Sequence, residues 1–421
     1  MTTIDTVVIG AGHAGLAVSR LLTGAGRDHV VVDRGRIGER WRSERWDSLQ
    51  LLSPNWMTRL PHWEYDGSEP DGFMSSAGFV QHLERYAQSY GAPVLTGTTV
   101  RDLVTAHSGG YRLVTDRGTW STRQVVIATG PHGVANVPDG LDAAEVVTAS
   151  SYRNPGQLPP GGVLVIGASS SGVQIADELN RAGWEVYLAA GRHTRIPRCY
   201  RGSDIFCWLQ RTGRLARTID EVPDPVAARR EPSMQLVGRR TGERARNLDL
   251  VTLQANGVRL LGRFEGMKGT QARFRPDLAA TAADADVRMH RLLDAVDDYI
   301  ACTGLTGEVL PAVRPPALVA PAAARVVDLS RAGIATVVVA TGYRPEYPWL
   351  RLPVIGPDGH IRQNRGVTAA PGVYVVGQRF QYRRDSAFIG GARHDAAAVV
   401  QHLLTGRIAA RANGCSAEPA A

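Results

Sequence analysis

The amino-acid sequence predicts an α/β chain of two Rossmann-like dinucleotide-binding domains, the first discontinuous and carrying the second as an insertion. Three observations predict it. A strand, a glycine-rich turn and an Ala-rich helix follow one another over residues 6–22, and the same succession returns over residues 162–181. A strand ending in Ala-Thr-Gly also occurs twice, over residues 125–130 and 337–342.

The first unit reads Thr6-Val-Val-Ile-Gly10-Ala-Gly12-His-Ala-Gly15. Its glycines allow a tight turn and a close approach of backbone N–H groups, at a helix N-terminus, to a pyrophosphate. The next β run ends in Asp33, 23 positions after Gly10, where a carboxylate can accept hydrogen bonds from an adenosine ribose. The second unit reads Gly162-Val-Leu-Val-Ile-Gly167-Ala-Ser169-Ser170-Ser171-Gly172 and differs in two places. Ser169 stands for the middle glycine, and Ala190 stands where Asp33 stands in the first unit. Loss of the acid removes repulsion against a ribose 2′-phosphate, and Arg192, His193, Arg195 and Arg198 follow at once. Guanidinium groups suit bidentate phosphate contact, so this unit predicts NADP(H) rather than NAD(H).

In the Ala-Thr-Gly elements, small residues let the backbone turn beside a nucleotide or between domains. One precedes the second fingerprint and one lies long after it, which argues for a first domain interrupted by the second. A strand over residues 372–378 and a helix over about 395–404 complete that domain. The expected boundaries are 1–155 and 328–410 for the two parts of the first domain, 156–327 for the insertion, and 411–421 for a disordered tail.

Composition excludes several classes. With 43% hydrophobic and 21% charged residues the chain is neither disordered nor fibrous. The formal charge of +8 invites a nucleic-acid or anionic-membrane reading. Lys268 is the only lysine, a bias most simply due to genome coding, yet 13 arginines against six acids fall between Arg192 and Arg246. No apolar run reaches the roughly 20 residues of a membrane span. Cys199, Cys207, Cys302 and Cys415 form no CxxC pair, which argues for a reducing compartment and against a metal site. No secretory leader is visible, and a cytoplasmic location is the expectation.

Together with Gly38-Glu-Arg-Trp41 and Trp46-Asp-Ser-Leu-Gln-Leu-Leu-Ser-Pro-Asn-Trp56, these motifs resemble the class B flavoprotein monooxygenases. That family includes flavin-containing monooxygenases, Baeyer–Villiger enzymes and microbial N-hydroxylases. Pro70-Asp-Gly-Phe-Met74 and Tyr152-Arg-Asn-Pro155 are similar to a bacterial branch of it, and the resemblance spans about residues 1–410. It implies FAD in the first domain and NADPH in the second. It also implies hydride transfer from NADPH to flavin, reaction with O₂ to a C4a-(hydro)peroxide, and delivery of one oxygen atom to a small organic substrate.

Carried over by position, the resemblance gives FAD to Gly10, Gly12, His13, Ala14, Gly15, Asp33, Arg34, Arg40, Trp41, Leu49, Gln50, Val100, Ala128, Thr129, Gly130, Gly377 and Gln378. Gly167, Ser169, Ser170, Ser171, Gly172, Arg192 and Arg195 are expected to hold NADPH, with Thr341 and Gly342 also beside a nucleotide. Leu52, Thr148, Arg383 and Asp385 are candidates on the flavin or substrate face. Many relatives carry an asparagine where this chain has Leu52, and Baeyer–Villiger enzymes carry a histidine where it has Thr148. The second departure favours N- or S-oxygenation. Arg383 and Asp385 read equally as a surface salt bridge, and His13 as a tolerated variable position. Residues 278–300 read as a solvated helix rather than a metal site. An FAD-dependent NADPH oxidase or reductase is the rival class. A nucleic-acid binder would need the arginine segment to form one basic face with stacking aromatics. A homodimer is compatible with the sequence.

Overall fold

The computed structural model describes residues 2–107, 109–141, 145–239, 241–322 and 324–406; the expected tail at 411–421 and Cys415 lie outside these. Two separate sheets organise the chain. The first has seven strands, in the order Val94–Leu95, His29–Val32, Thr2–Ile9, Gly118–Ile127, Tyr111–Thr115 and Val100–Thr105, with Val373–Val375 also paired to Gly118–Ile127. Thr2–Ile9 runs parallel to its neighbours on both sides, with Ile9 level with Val32 and Ile127. Val7, Val8, Val125, Val126 and Ile127 are fully buried, as in a sheet covered on both faces. The helices His13–Gly24 and Ala392–Thr405 supply one cover, and their apolar faces share one cluster with Val8, Val126 and Tyr374.

The second sheet has five parallel strands in the order Arg259–Leu261, Val186–Ala189, Gly162–Ile166, Ile334–Val339 and Glu145–Thr148. This corrects the expected boundaries. Glu145–Thr148 and Ile334–Val339, assigned from sequence to the first domain, pair within the second. The reason is close packing. A Cβ on Gly10 would stand 2.5 Å from the Ala128 carbonyl oxygen, and one on Gly167 would stand 2.5 Å from that of Ala340. Each fingerprint therefore needs its own Ala-Thr-Gly strand end alongside. The chain passes between domains on two segments that pair with each other, Val134–Ala135 antiparallel to Tyr343–Arg344.

Residues between the strands Val186–Ala189 and Arg259–Leu261, with the long helix Leu278–Cys302, build an apolar cluster around Phe206, Trp208, Leu209, Met289 and Leu293. The helix buries one face, and its acids mostly meet arginines: Asp286 meets Arg195, and Asp297 meets Arg201 and Arg314. Among the described residues no cluster of acids, histidines or cysteines can hold a metal, and no helix is long and apolar enough to cross a membrane.

Candidate functional site: one cleft faced by two nucleotide turns

Both fingerprint turns open onto a single cleft of about 2050 Å³. The turns are built alike. A Cβ on Gly15 would stand 1.9 Å from the Gly10 carbonyl oxygen and one on Gly172 1.8 Å from that of Gly167, so neither helix can approach its strand with a larger residue there. Gly10 and Gly167 also hold φ of +115° and +106°, where only glycine is at ease. Gly12 is different. Nothing lies within 4 Å of where its Cβ would stand, and it lines the cleft. It thus leaves a nucleotide room to meet the backbone. Ser169 occupies the matching place as the N-cap of Ser170–Arg181, its hydroxyl making no cap hydrogen bond. Ser170, Ser171 and Gly167 line the cleft with it, and Gln174 donates to the Ser170 hydroxyl at 2.9 Å.

On the first side, Asp33 accepts from Ala11 N at 2.7 Å and Gly35 N at 2.8 Å, which fixes the carboxylate at the cleft wall. Ala14, Arg34, Val100, Ala128, Thr129 and Gly130 line the same wall. His13 and Arg40 carry the clearest mark of a missing partner: His13 Nε2 and Arg40 Nη1 are buried with no hydrogen bond. Burial holds the His13 imidazole neutral, its pKa down to about 4. Burial, then the charges of Arg45, Arg40 and Arg379, push His132 down to about 3. Around these imidazoles Glu44 is the acid that meets Arg40, at 3.7 Å, and it also meets Arg34 at 3.4 Å. A pocket of desolvated guanidiniums with so little counter-charge fits a pyrophosphate. Open space at Gly12, orphaned donors and a placed ribose acceptor together fit FAD.

On the second side the arginines divide. Arg192 is exposed at the cleft, where the chain leaves Val186–Ala189. Arg195 is 4% exposed in its side chain and fully engaged. Its guanidinium donates to Asp249 at 2.8 Å, Asp286 at 2.5 Å and the Pro316 carbonyl at 2.7 Å. Arg198 is likewise committed, to Asp204 and the Leu52 carbonyl. The expectation of a phosphate role for Arg195 is therefore replaced by a structural one. The sequence missed Arg263, which lines the cleft with its Nε 3.3 Å from where a Cβ on Gly191 would stand. Its signal is faint: it follows Arg259–Leu261, whose pairing with Val186–Ala189 is not readable locally.

Of the expected flavin and substrate face, Trp41, Leu52, Gly377 and Gln378 line the cleft, as do Thr341 and Gly342 on the opposite side. Trp41 is held edge-on to Phe79 at 4.9 Å, with Arg45 over its ring at 5.1 Å. Gln378 donates to the Tyr347 hydroxyl at 3.3 Å. Five expectations do not hold. Leu49 is buried in the core with Trp46 and Tyr152. Gln50 forms a β-bridge with Ser75. Neither lines the cleft, although Leu51 to Ser53 do. The Thr148 hydroxyl is tied to those of Ser150 at 2.9 Å and Ser151 at 3.0 Å in the turn after its strand. Arg383 and Asp385 satisfy each other at 3.0 and 3.1 Å behind the wall.

Residues 7–209 match the family model described as pyridine nucleotide-disulphide oxidoreductase. The chain is 29% identical over 416 residues to the CzcO-like oxidoreductase of Geobacillus kaustophilus, covering 95% of this chain and 98% of that one. It is 31% identical over 184 residues to the indole-3-pyruvate monooxygenase YUCCA1 of Oryza sativa, covering 42% of this chain and 45% of that protein. A flavin monooxygenase of Stenotrophomonas maltophilia, as a double mutant, shares the fold at 22% identity with a TM-score of 0.65, over 97% of this chain and all of that one. Two nucleotide turns across one cleft, with these likenesses, define a flavin- and pyridine-nucleotide-dependent oxidoreductase using FAD and NADPH. Within that class the chain is similar to flavin-dependent monooxygenases over the matched segments.

Proposed function

We propose that the protein is an NADPH- and O₂-dependent monooxygenase that places one oxygen atom on the nitrogen or sulfur of a small organic substrate. The observation that carries this is the shared cleft: both nucleotide turns face it, and part of its remaining wall is apolar, with Leu52 packed on the cluster around Phe206 and Met289 and Phe206 edge-on to Phe388 at 5.9 Å. The monooxygenase activities of the similar rice and Stenotrophomonas proteins support it. Bound FAD would supply hydride acceptance from NADPH and the activation of O₂.

The chain's own residues do the rest. Gly12, His13, Arg40 and Asp33 bind and orient the flavin nucleotide, while Ser169 to Ser171 and Arg192 orient NADPH opposite it. Trp41, Leu52 and Phe206 exclude water from the space between, which protects a reactive oxygen species from wasteful decay. The Thr148 hydroxyl is held in its own turn and does not line the cleft, so the position that carries a histidine in Baeyer–Villiger enzymes offers no side chain to a substrate here, which favours N- or S-oxygenation over ketone oxidation. The test supplies a thioether, a tertiary amine and a ketone in turn, following NADPH, O₂, H₂O₂ and product. The reading predicts oxygenated thioether or amine formed with NADPH consumption. Complete diversion of O₂ to H₂O₂ across the panel would leave an NADPH oxidase instead.

A further inference from the structure

We infer that the substrate is an organic acid with an apolar body, and that Arg214 receives its carboxylate. The inference rests on the monooxygenase reading and adds the substrate's chemical class. Arg214 lies just beyond the helix Ile205–Arg211, in a segment stitched to the stretch after Gln378. Ile219 N donates to the Tyr382 carbonyl at 2.7 Å, Arg384 N to that of Arg217 at 2.9 Å, and Asp385 N to that of Leu215 at 3.2 Å. Backbone bonding therefore fixes where Arg214 sits. It is half-buried and lines the cleft together with Phe206, Leu209 and Leu215.

Its charged surroundings are one-sided. Burial first, and then the charges of the cations Arg217 and Arg384, lower its pKa. Glu231 pairs with Arg384, and its carbonyl accepts from Arg379. Arg217 donates to the Glu221 carbonyl at 2.7 Å. Among the described residues no acid pairs with Arg214. A guanidinium drawn partly out of water, repelled by two others and set in an apolar wall, is poised for an anion from outside the chain. The nucleotide phosphates have their own receivers at Gly12, Arg40, Ser169 and Arg192. What remains beside Phe206 and Leu209 is an anion carried on an apolar body, and a carboxylate matches the guanidinium fork.

The test pairs two probes that differ by the acid alone, methyl phenyl sulfide and 4-(methylthio)benzoate. Each is titrated into the flavin-loaded protein, reading the visible flavin spectrum for binding, and each is then assayed for sulfoxide. The wild type is expected to bind the acid about tenfold or more tightly than the neutral sulfide. Arg214→Gln should lose most of that preference, falling far more on the acid than on the sulfide, and Arg214→Lys should restore part of it. Equal binding of the two probes by the wild type overturns the inference, and so does an Arg214→Gln variant whose main defect is a raised NADPH requirement. Arg214-dependent binding of the acid without sulfoxide would sink the monooxygenase reading and keep the carboxylate site. Sulfoxide from both probes without preference would do the reverse.

Discussion

One methyl group separates two kinds of glycine in the first nucleotide turn. At Gly15 it would collide with the Gly10 carbonyl at 1.9 Å, so Gly15→Ala forces helix from strand; we expect a loss of about 1–3 kcal/mol in stability and poor recovery of folded protein. At Gly12 it meets no protein atom within 4 Å. Gly12→Ala should keep the melting temperature of the flavin-stripped protein and weaken FAD retention, measured by flavin fluorescence. The arginines give a second contrast. Arg195 is buried between Asp249 and Asp286, so Arg195→Ala should cost about 3–5 kcal/mol without changing the preference for NADPH over NADH. Arg192→Ala should raise the KM for NADPH far more than for NADH while leaving stability nearly unchanged. Equal effects on both nucleotides would remove Arg192 from the phosphate site.

Among the elements, the last helix, Ala392–Thr405, holds a testable irregularity. Asp395 in its first turn is 2% exposed, its Oδ2 has no partner, and burial followed by the Asp385 charge raises its pKa to about 7. Between pH about 4 and 7 the folded chain keeps a proton that the unfolded chain releases, so this group lowers stability progressively as pH rises through that window. Above it the loss is complete. Asp395→Asn should therefore raise the melting temperature at pH 8 by several degrees and change it little at pH 4. A difference that does not grow with pH would contradict a buried, protonated Asp395. The element scale is also where sequence reading was strongest. The fingerprints were legible because steric exclusion spells them in glycine, and the helix at 278–300 because its apolar residues keep helical spacing. The pairing of Arg383 with Asp385 was legible only as one of two options, since facing the cleft or turning behind it depends on a backbone stitch to residues 215–219.

At the scale of the molecule, what the sequence obscured was partnership between distant segments. The two Ala-Thr-Gly strands look identical locally, so their assignment to different sheets waited on the contacts of Gly10 and Gly167. The arginine excess had the same ambiguity. Arg195, Arg198, Arg201 and Arg246 are paired with aspartates, while Arg192, Arg214, Arg217, Arg229 and Arg230 line the cleft, so the charge serves both packing and anion capture rather than one basic face. The domains are also tied directly: Ser48 donates to Glu178 at 2.6 Å. Such a link holds the nucleotide turns to a common cleft, on which the proposed chemistry depends. The most direct test of that chemistry is turnover of the NADPH-fed protein with methyl phenyl sulfide or its 4-carboxylate under oxygen-18 gas. The account predicts sulfoxide carrying one oxygen-18 atom, formed as NADPH is consumed. Sulfoxide without the label, or labelled H₂O₂ as the sole oxygen product, would contradict it.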